Sequence, residues 1–302
     1  MEPKIHTVFE PVTGTWQYII ADPSRKEAVI IDSVLDYDRD TGVISTASAD
    51  KLLELIMGNE YMVSRILETH VHADHLTASR YLQNMLLQRQ QQQRPLVCIG
   101  KHISQVQETM GQIYDIPASE MQDAFDYTFS DGEKFRIGDL EAQVLHLPGH
   151  TPDHIGYIVG SNVFTGDSMF NPDIGSARCD FPGGSAVALY KSMHKLLSFP
   201  GHFRLYTGHD YPSKDRCVPE NGKSGAIPYT TVEAQSKENK HMNASTQLVD
   251  FVRWRTERDS ALPEPKLLHQ SMHVNVRGGR LPVGLVERFK LEQKPVNVPR
   301  AA

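Results

Sequence analysis

Thr69-His70-Val71-His72-Ala73-Asp74-His75 sets three imidazoles and one carboxylate between His70 and His75. Folding alone calls for no such density of histidine, and four donors this close are the raw material of a metal site. The apolar run before them, residues 62–69, reads as a buried strand that delivers the cluster at its carboxyl end. In extended backbone His70 and His72 face the same way and can reach one ion. Asp74 and His75 fall where a helix carrying Leu76, Leu82, Met85 and Leu86 is expected to begin, and can reach a second position beside the first. Three further candidates, His150, Asp167 and His209, share one arrangement. Each follows a predicted strand, directly after Gly149, Gly166 or Gly208, where a glycine lets the backbone turn sharply. If the strand ends gather along one edge, the candidate ligands are His70, His72, Asp74, His75, His150, Asp167 and His209.

The elements that must position them follow from hydrophobic period and turn chemistry. Residues 8–10, 15–21 and 28–31 read as strands, separated by Pro11-Val12-Thr13-Gly14 and Asp22-Pro23-Ser24 and ending at Asp32. Residues 36–46 read as a polar loop, and Ser48 is placed to cap a helix bearing Leu52, Leu53 and Ile56 that stops near Gly58. Gln90-Gln91-Gln92-Gln93 reads as a solvated helix end closed by Pro95. A strand at 96–99 precedes Ile103, Val106, Met110 and Ile113, which recur at helical spacing. Residues 125–129 and 134–137 flank Ser130-Asp131-Gly132 and read as a hairpin. Leu140, Ala142 and Val144 alternate with polar residues, and a second hairpin is expected around Gly160-Ser161-Asn162. Ser185 is placed to cap a helix with Leu189, Met193, Leu196 and Leu197, before a strand at 203–207. Helices at about 231–241 and 246–258 lead to an irregular tail rich in Pro, Gly and Arg. Strands and helices alternate in both halves, which is an α/β class.

Composition bounds the function. The 302 residues, 39% hydrophobic and 23% charged, suit a globular chain with a sizeable core. A formal net charge of −6 disfavours nucleic acid as a partner. No apolar stretch approaches the ~18 residues of a membrane helix. The N-terminus carries neither a secretion signal nor an Arg-rich transit segment, and Cys98, Cys179 and Cys217 are odd in number and scattered. The expectation is a reducing, cytoplasmic setting, with the mitochondrial matrix left open.

The H-x-H-x-D-H run followed by His150, Asp167 and His209 resembles the signature of the metallo-β-lactamase superfamily over about residues 5–211. All five recurring motifs occur in order, and Asp32 stands for the first, an Asp that supports the His loop rather than binding metal. The resemblance implies an αβ/βα sandwich of two mixed sheets with helices on the outer faces. It places a catalytic domain at 1–245 and a C-terminal helix and irregular tail packed on it at 246–302. The superfamily includes two-metal hydrolases and one-metal oxygenases. Two Zn(II) would be held by His70, His72 and His150 and by Asp74, His75 and His209, with Asp167 bridging. One Fe(II) per chain would use His70, His150 and Asp167, with His72, Asp74, His75 and His209 orienting those ligands.

Gly175-Ser176-Ala177-Arg178-Cys179-Asp180-Phe181 resembles the G-x-x-R-x-D-F element of persulfide dioxygenases, the ethylmalonic-encephalopathy-protein group. His209-Asp210-Tyr211, Leu262-Pro263-Glu264-Pro265 and Asn275-Val276-Arg277 are similar to that group as well. The implied reaction converts glutathione persulfide, O2 and water to glutathione and sulfite, and a homodimer is in keeping with the family. Asp74 and Tyr211 are candidate catalytic groups, and Arg178 and Asp180 candidate substrate contacts. The Arg178 guanidinium either receives a substrate carboxylate or pairs with Asp180 to hold the loop. The alternative is a two-zinc thioester hydrolase of the glyoxalase II type. A metal-stabilised binding protein without turnover fits less well, because a retired site tends to lose ligands that are costly to bury unpaired. Ala177 and Cys179 stand where the family more often has Gly and Thr, and segments 83–95 and 212–230 are extended. His146 and His154 read as structural or ligand-orienting, and Cys98 as core.

Overall fold

The first half of the chain builds one sheet and its covering helices. In order these are β1 (Lys4–Glu10), β2 (Thr15–Ala21), β3 (Glu27–Ile31), β4 (Val34–Tyr37), β5 (Val43–Ser45), α1 (Ala47–Gly58), β6 (Met62–Leu67) and β7 (Leu76–Thr77). Then come α2 (Ser79–Arg89), β8 (Leu96–Gly100), α3 (Ile103–Tyr114), the single turn α4 (Ala118–Met121) and β9 (Tyr127–Phe129). The second half supplies β10 (Lys134–Ile137), β11 (Leu140–His146), β12 (Ile155–Val159), β13 (Asn162–Gly166), α5 (Ala186–Leu197), β14 (Arg204–Thr207) and β15 (Tyr229–Thr231). It ends with α6 (Val232–Glu238), α7 (Leu248–Ser260), α8 (Leu268–Asn275) and β16 (Lys290–Leu291). This computed structural model describes residues 2–90, 93–212, 216, 225–282 and 290–291.

Two six-stranded sheets result, ordered β1-β2-β3-β6-β8-β9 and β10-β11-β12-β13-β14-β15, with a small sheet β16-β5-β4-β7 at the side. The first is antiparallel through β3 and parallel from β3 to β9. The second is antiparallel except where β13 runs parallel to β14. Side-chain alternation explains the layering. Tyr18, Ile20, Val29, Ile31 and Leu67 face Ala142, Val144, Tyr157, Val159 and Phe164 between the sheets. Their neighbours Ile19, Ile30 and Ile66 point outward, under Leu52 and Ile56 of α1 and Leu82 and Leu86 of α2. On the far side Leu145, Val163 and Leu205 pack with Leu189, Met193 and Leu196 of α5 and Phe251 of α7. Strands covered on both faces lose the polar alternation of a half-exposed sheet, which is why all seven residues of β2 are buried. The αβ/βα sandwich expected from the sequence is the fold.

Several local expectations change. The polar stretch 36–46 is not a loop throughout but contains the end of β4 and all of β5, and Asp36 accepts hydrogen bonds from Ser48 N (2.8 Å) and Ser48 Oγ (2.6 Å). Ser48 therefore lies inside α1, whose N-cap is Thr46. Ser130-Asp131-Gly132 does not close a hairpin: β9 pairs with β8 in the first sheet and β10 with β11 in the second. A turn signal marks a reversal, whereas the stacking of Phe129 on Phe135 (centroids 5.0 Å apart) in the inter-sheet core decides where each strand goes. Gln90 is not solvated; its amide accepts from Val63 N (2.7 Å) and donates to Val63 O (3.0 Å), while Gln91 and Gln92 lie outside the described residues. The C-terminal stretch is less irregular than expected, since it contains α8. Most of 212–230 and of the tail after Arg280 lies outside the described residues. Among the described residues, no helix is long and apolar enough to cross a membrane.

Candidate metal centre

The strand β6 stops at Leu67 and helix α2 starts at Ser79, so the His cluster occupies an irregular loop between β6 and β7 rather than a strand end and a helix start. Three buried groups pin that loop. Asp32, just past β3, accepts from Thr69 N (2.8 Å) and Thr69 Oγ1 (2.9 Å). Asp153 accepts from Val71 N at 2.9 Å. Asn275 holds the carbonyls of His72 and His75. Because the Thr69 hydroxyl donates to Asp32, it must accept from His70 Nδ1 (2.9 Å), which fixes the tautomer and leaves a lone pair on Nε2. The same logic applies to His150, whose Nδ1 donates to the carbonyl of Arg178 at 2.7 Å. His209 Nδ1 lies 3.3 Å from Thr15 Oγ1.

The seven sequence candidates come together as two groups. One ligand atom each of His70, His150 and Asp167 lie within 4.8 Å of one another, and so do those of His72, Asp74, His75 and His209. The Asp167 carboxylate faces both: Oδ2 is 4.0 Å from His70 Nε2 and 3.7 Å from His150 Nε2, while Oδ1 is 3.5 Å from His209 Nε2. Asp74 Oδ2 is 3.3 Å from His209 Nε2. The His72 ring lies beside that of His70 (centroids 4.1 Å apart), and its Nδ1 is buried with no hydrogen bond among the described residues. Its Nε2 is 3.1 Å from Asp32 Oδ1 and 3.5 Å from Glu68 Oε2, a third buried group.

The donor set fits a metal ion. Nε2 of His70, His75 and His209 and Oδ1 of Asp167 are buried and make no hydrogen bond among the described residues. Such orphaned atoms are costly unless something binds them. Burial, reinforced by the neighbouring imidazoles of His72, His154 and His150, holds His70 well below its ordinary pKa, in the neutral form that binds metal. Burial pushes Asp74 up, but His209 and His75 outweigh it and hold the carboxyl well below the usual range. His154 stacks on His70 (centroids 4.7 Å apart) and accepts the Asp167 N–H at 2.9 Å, so it orients two ligands without joining them.

Gly208 acts by clearance, not by a turn. A Cβ there would lie 2.4 Å from Asp167 Oδ1, whereas Gly166 does adopt a left-handed backbone (φ +48°).

Comparison with known proteins matches this arrangement to relatives. The model of the metallo-beta-lactamase superfamily matches residues 87–209. A Dictyostelium discoideum protein named Glyoxylase B2 is 41% identical over 282 residues, 92% of each chain. The chain belongs to the metallo-β-lactamase superfamily. The human persulfide dioxygenase ETHE1, mitochondrial, is 27% identical over 278 residues, covering 91% of this chain and 88% of that one. The crystal structure of ETHE1 from Myxococcus xanthus superposes with a TM-score of 0.69 at 27% identity, covering 92% of this chain and 100% of that chain.

Beside the superfamily's metal-binding loop opens a cavity of about 970 Å³, floored by Asp74, His150, Asp167 and His209. Tyr211 stands at its mouth, 52% exposed, with its ring parallel to that of His209. Arg178 spends its fork on Asp180, donating to both carboxylate oxygens, and donates to Pro263 O at 2.8 Å. Of the two readings of Arg178, the geometry is that of the loop-holding pair, and Asp180 is likewise engaged. The Cys179 thiol is buried, and burial first and Asp259 second push it up to about 12, so it is no reactive thiolate. Exposed Arg39, Lys240, Arg258 and Lys266 line the cavity instead. Their scatter along the chain hid them from a sequence reading. Glu68 and Asp153 were also missed, although an acid in an apolar run expected to be buried is a signal that could have marked Glu68.

Proposed function

We propose that this protein is a persulfide dioxygenase, oxidising a glutathione-type persulfide with O2 and water to the thiol and sulfite at one Fe(II) held by His70, His150 and Asp167. The observation that carries this reading is how the ligands divide. His70, His150 and Asp167 form a compact group, while His72, which a two-ion arrangement would add to it, falls with Asp74, His75 and His209. Two imidazoles and a carboxylate on one face leave positions for oxygen and substrate. When bound, Fe(II) would supply the redox chemistry, activating O2 and orienting the terminal sulfur. The chain's own groups supply the rest. Thr69 and the Arg178 carbonyl hold the two ligand imidazoles in their metal-binding tautomers. His154 fixes the backbone of Asp167. Asp74, its carboxyl kept ionised by His209 and His75 against burial, lines the cavity as a fixed negative charge that orients those two imidazoles. Tyr211 borders the entrance. The Gly175–Phe181 element and the similarity to a persulfide dioxygenase support the same reading.

The test is oxygen uptake and sulfite release by anaerobically purified, iron-loaded protein given glutathione persulfide. Uptake matched to sulfite at one iron per chain is expected; no uptake from protein holding one iron overturns the reading.

A specific observation keeps a second reading, a two-zinc thioester hydrolase of the glyoxalase II type. Asp167 directs one oxygen at each ligand group, as a bridging carboxylate does, and the Glyoxylase B2 relative is 41% identical. It predicts two zinc ions per chain and hydrolysis of S-lactoylglutathione without oxygen.

A further inference from the structure

Asn275, at the end of α8, stands 200 residues beyond His75 in the chain and is 3% exposed. Its side-chain amide makes three hydrogen bonds, all with the segment that carries the His cluster. Nδ2 donates to the carbonyls of His72 (2.8 Å) and His75 (2.8 Å), and Oδ1 accepts from Thr77 N (2.9 Å). The two carbonyls bracket Ala73 and Asp74, so the amide fixes the backbone that carries Asp74 and His75. Asp32 and Asp153 fix Thr69 and Val71 in the same way, one stretch earlier. A primary carboxamide suits the task because it offers two donors and an acceptor in one plane.

The amide is itself held firmly. Met272 and Val276 share a buried cluster with Val71 and Ala73, so the helix bearing Asn275 packs on the loop it grips. Gln107 Nε2 donates to Val276 O at 2.9 Å, and Arg277 donates through Nε and Nη2 to Glu120.

We infer that Asn275 is a positioning residue of the metal centre, setting Asp74 and His75 through their backbone and making α8 part of the site. The inference concerns the ligand loop and holds for either chemistry. Groups that orient ligands from behind typically change metal affinity 10–100-fold when lost. The test uses the full-length chain, stripped of metal and titrated with Zn(II) and with Co(II) against a chelating competitor. Asn275→Asp keeps the shape and removes the two donors. It is expected to weaken ion binding at least tenfold and to alter the Co(II) absorption bands. The added negative charge would by itself tighten a cation, so weakening reports geometry. Leu196→Ala loosens the core under α5, in a different cluster from the ligand loop, and is expected to stay within threefold of the parent. Unchanged affinity in Asn275→Asp overturns the inference, and so does equal weakening by Leu196→Ala. If Asn275→Asp does not accumulate folded, Asn275→Ser, with a single shorter donor, is read by the same ratio. None of these readouts needs turnover, so a failure of the persulfide reading is distinguishable from a failure of this one.

Discussion

Replacing Gly208 with alanine isolates the placement of one carboxylate. The backbone at Gly208 is outside the left-handed region, so alanine brings no conformational strain of its own. The added Cβ meets Asp167 Oδ1 at 2.4 Å, with Gly166 C and O at 3.0 and 3.2 Å. Ordinary contact begins near 3.4 Å, so the carboxylate must retreat by about 1 Å. Overpacking of this kind costs about 1–3 kcal/mol of stability, and a ~1 Å misplacement of a reacting constellation costs roughly 100-fold in rate. Since the Oδ1 that moves lies 3.5 Å from His209 Nε2, the ligand geometry is disturbed while both sheets keep their cores. The assay measures ion affinity by chelator competition, turnover of whichever substrate the parent consumes, and thermal melting. Gly58→Ala, whose Cβ meets nothing within 4 Å, is the control and should match the parent in all but a slightly higher melting temperature. Gly208→Ala with ion affinity and turnover both within threefold of the parent would refute the clearance argument.

Asp167→Ala should abolish metal binding under either chemistry, whereas His209→Ala should leave iron bound and cut activity less if one ion is held by His70, His150 and Asp167. Metal analysis of both variants checks this, and equal loss of iron in the two contradicts it. Arg178→Lys keeps the charge but loses the two-pronged grip on Asp180, so it should weaken ion binding through His150 more than it raises KM. A raised KM with unchanged ion affinity would instead show that the guanidinium meets substrate. His241, stacked on Trp254, is lowered to about 4, by burial first and by Lys240 and Arg255 after it. The unfolded chain therefore binds a proton that the folded chain refuses between about pH 6.5 and 4. Stability from this group is full above that window and falls with acidification by at most about 1.4 kcal/mol per pH unit. Denaturant melts of His241→Phe across pH 7 to 4 should show a shallower decline than the parent; parallel declines would sink the assignment.

Local chemistry was most legible where one residue type dominates. The H-x-H-x-D-H run and the glycine-preceded His150, Asp167 and His209 could be read because few folding roles demand them, while Asp32 and the sandwich came from the family resemblance. Single strands were legible through alternation, as in β11, where Leu140, Ala142 and Val144 face the core. What escaped depends on contacts between distant segments. Nothing local distinguishes a Ser-Asp-Gly turn that closes a hairpin from one that crosses between sheets. Gln90 reads as solvent-facing until the backbone of Val63 supplies its partners. Asn275 reads as one residue of a motif, and its role exists only when α8 lies under the loop. The His70 and His72 rings lie side by side (centroids 4.1 Å apart), although the chain leaves the strand at Leu67, three residues before the first histidine.

The division of labour between the two sheets has a consequence for assembly. The first sheet is built from residues 4–129 and contributes His70, His72, Asp74 and His75; residues 130–231 build the second and contribute His150, Asp167 and His209. Each ligand group therefore draws on both halves, so a single ion is a clasp across the seam between two lobes. Ion binding would add to folding by mass action, about 4 kcal/mol at a thousandfold excess over Kd. The seam would then be where metal-free protein exchanges its amide hydrogens with solvent sooner than the ion-bound form does, and a chain cut at Asp131 would be a protein whose halves, already sharing an apolar core, hold each other more tightly in the presence of the ion.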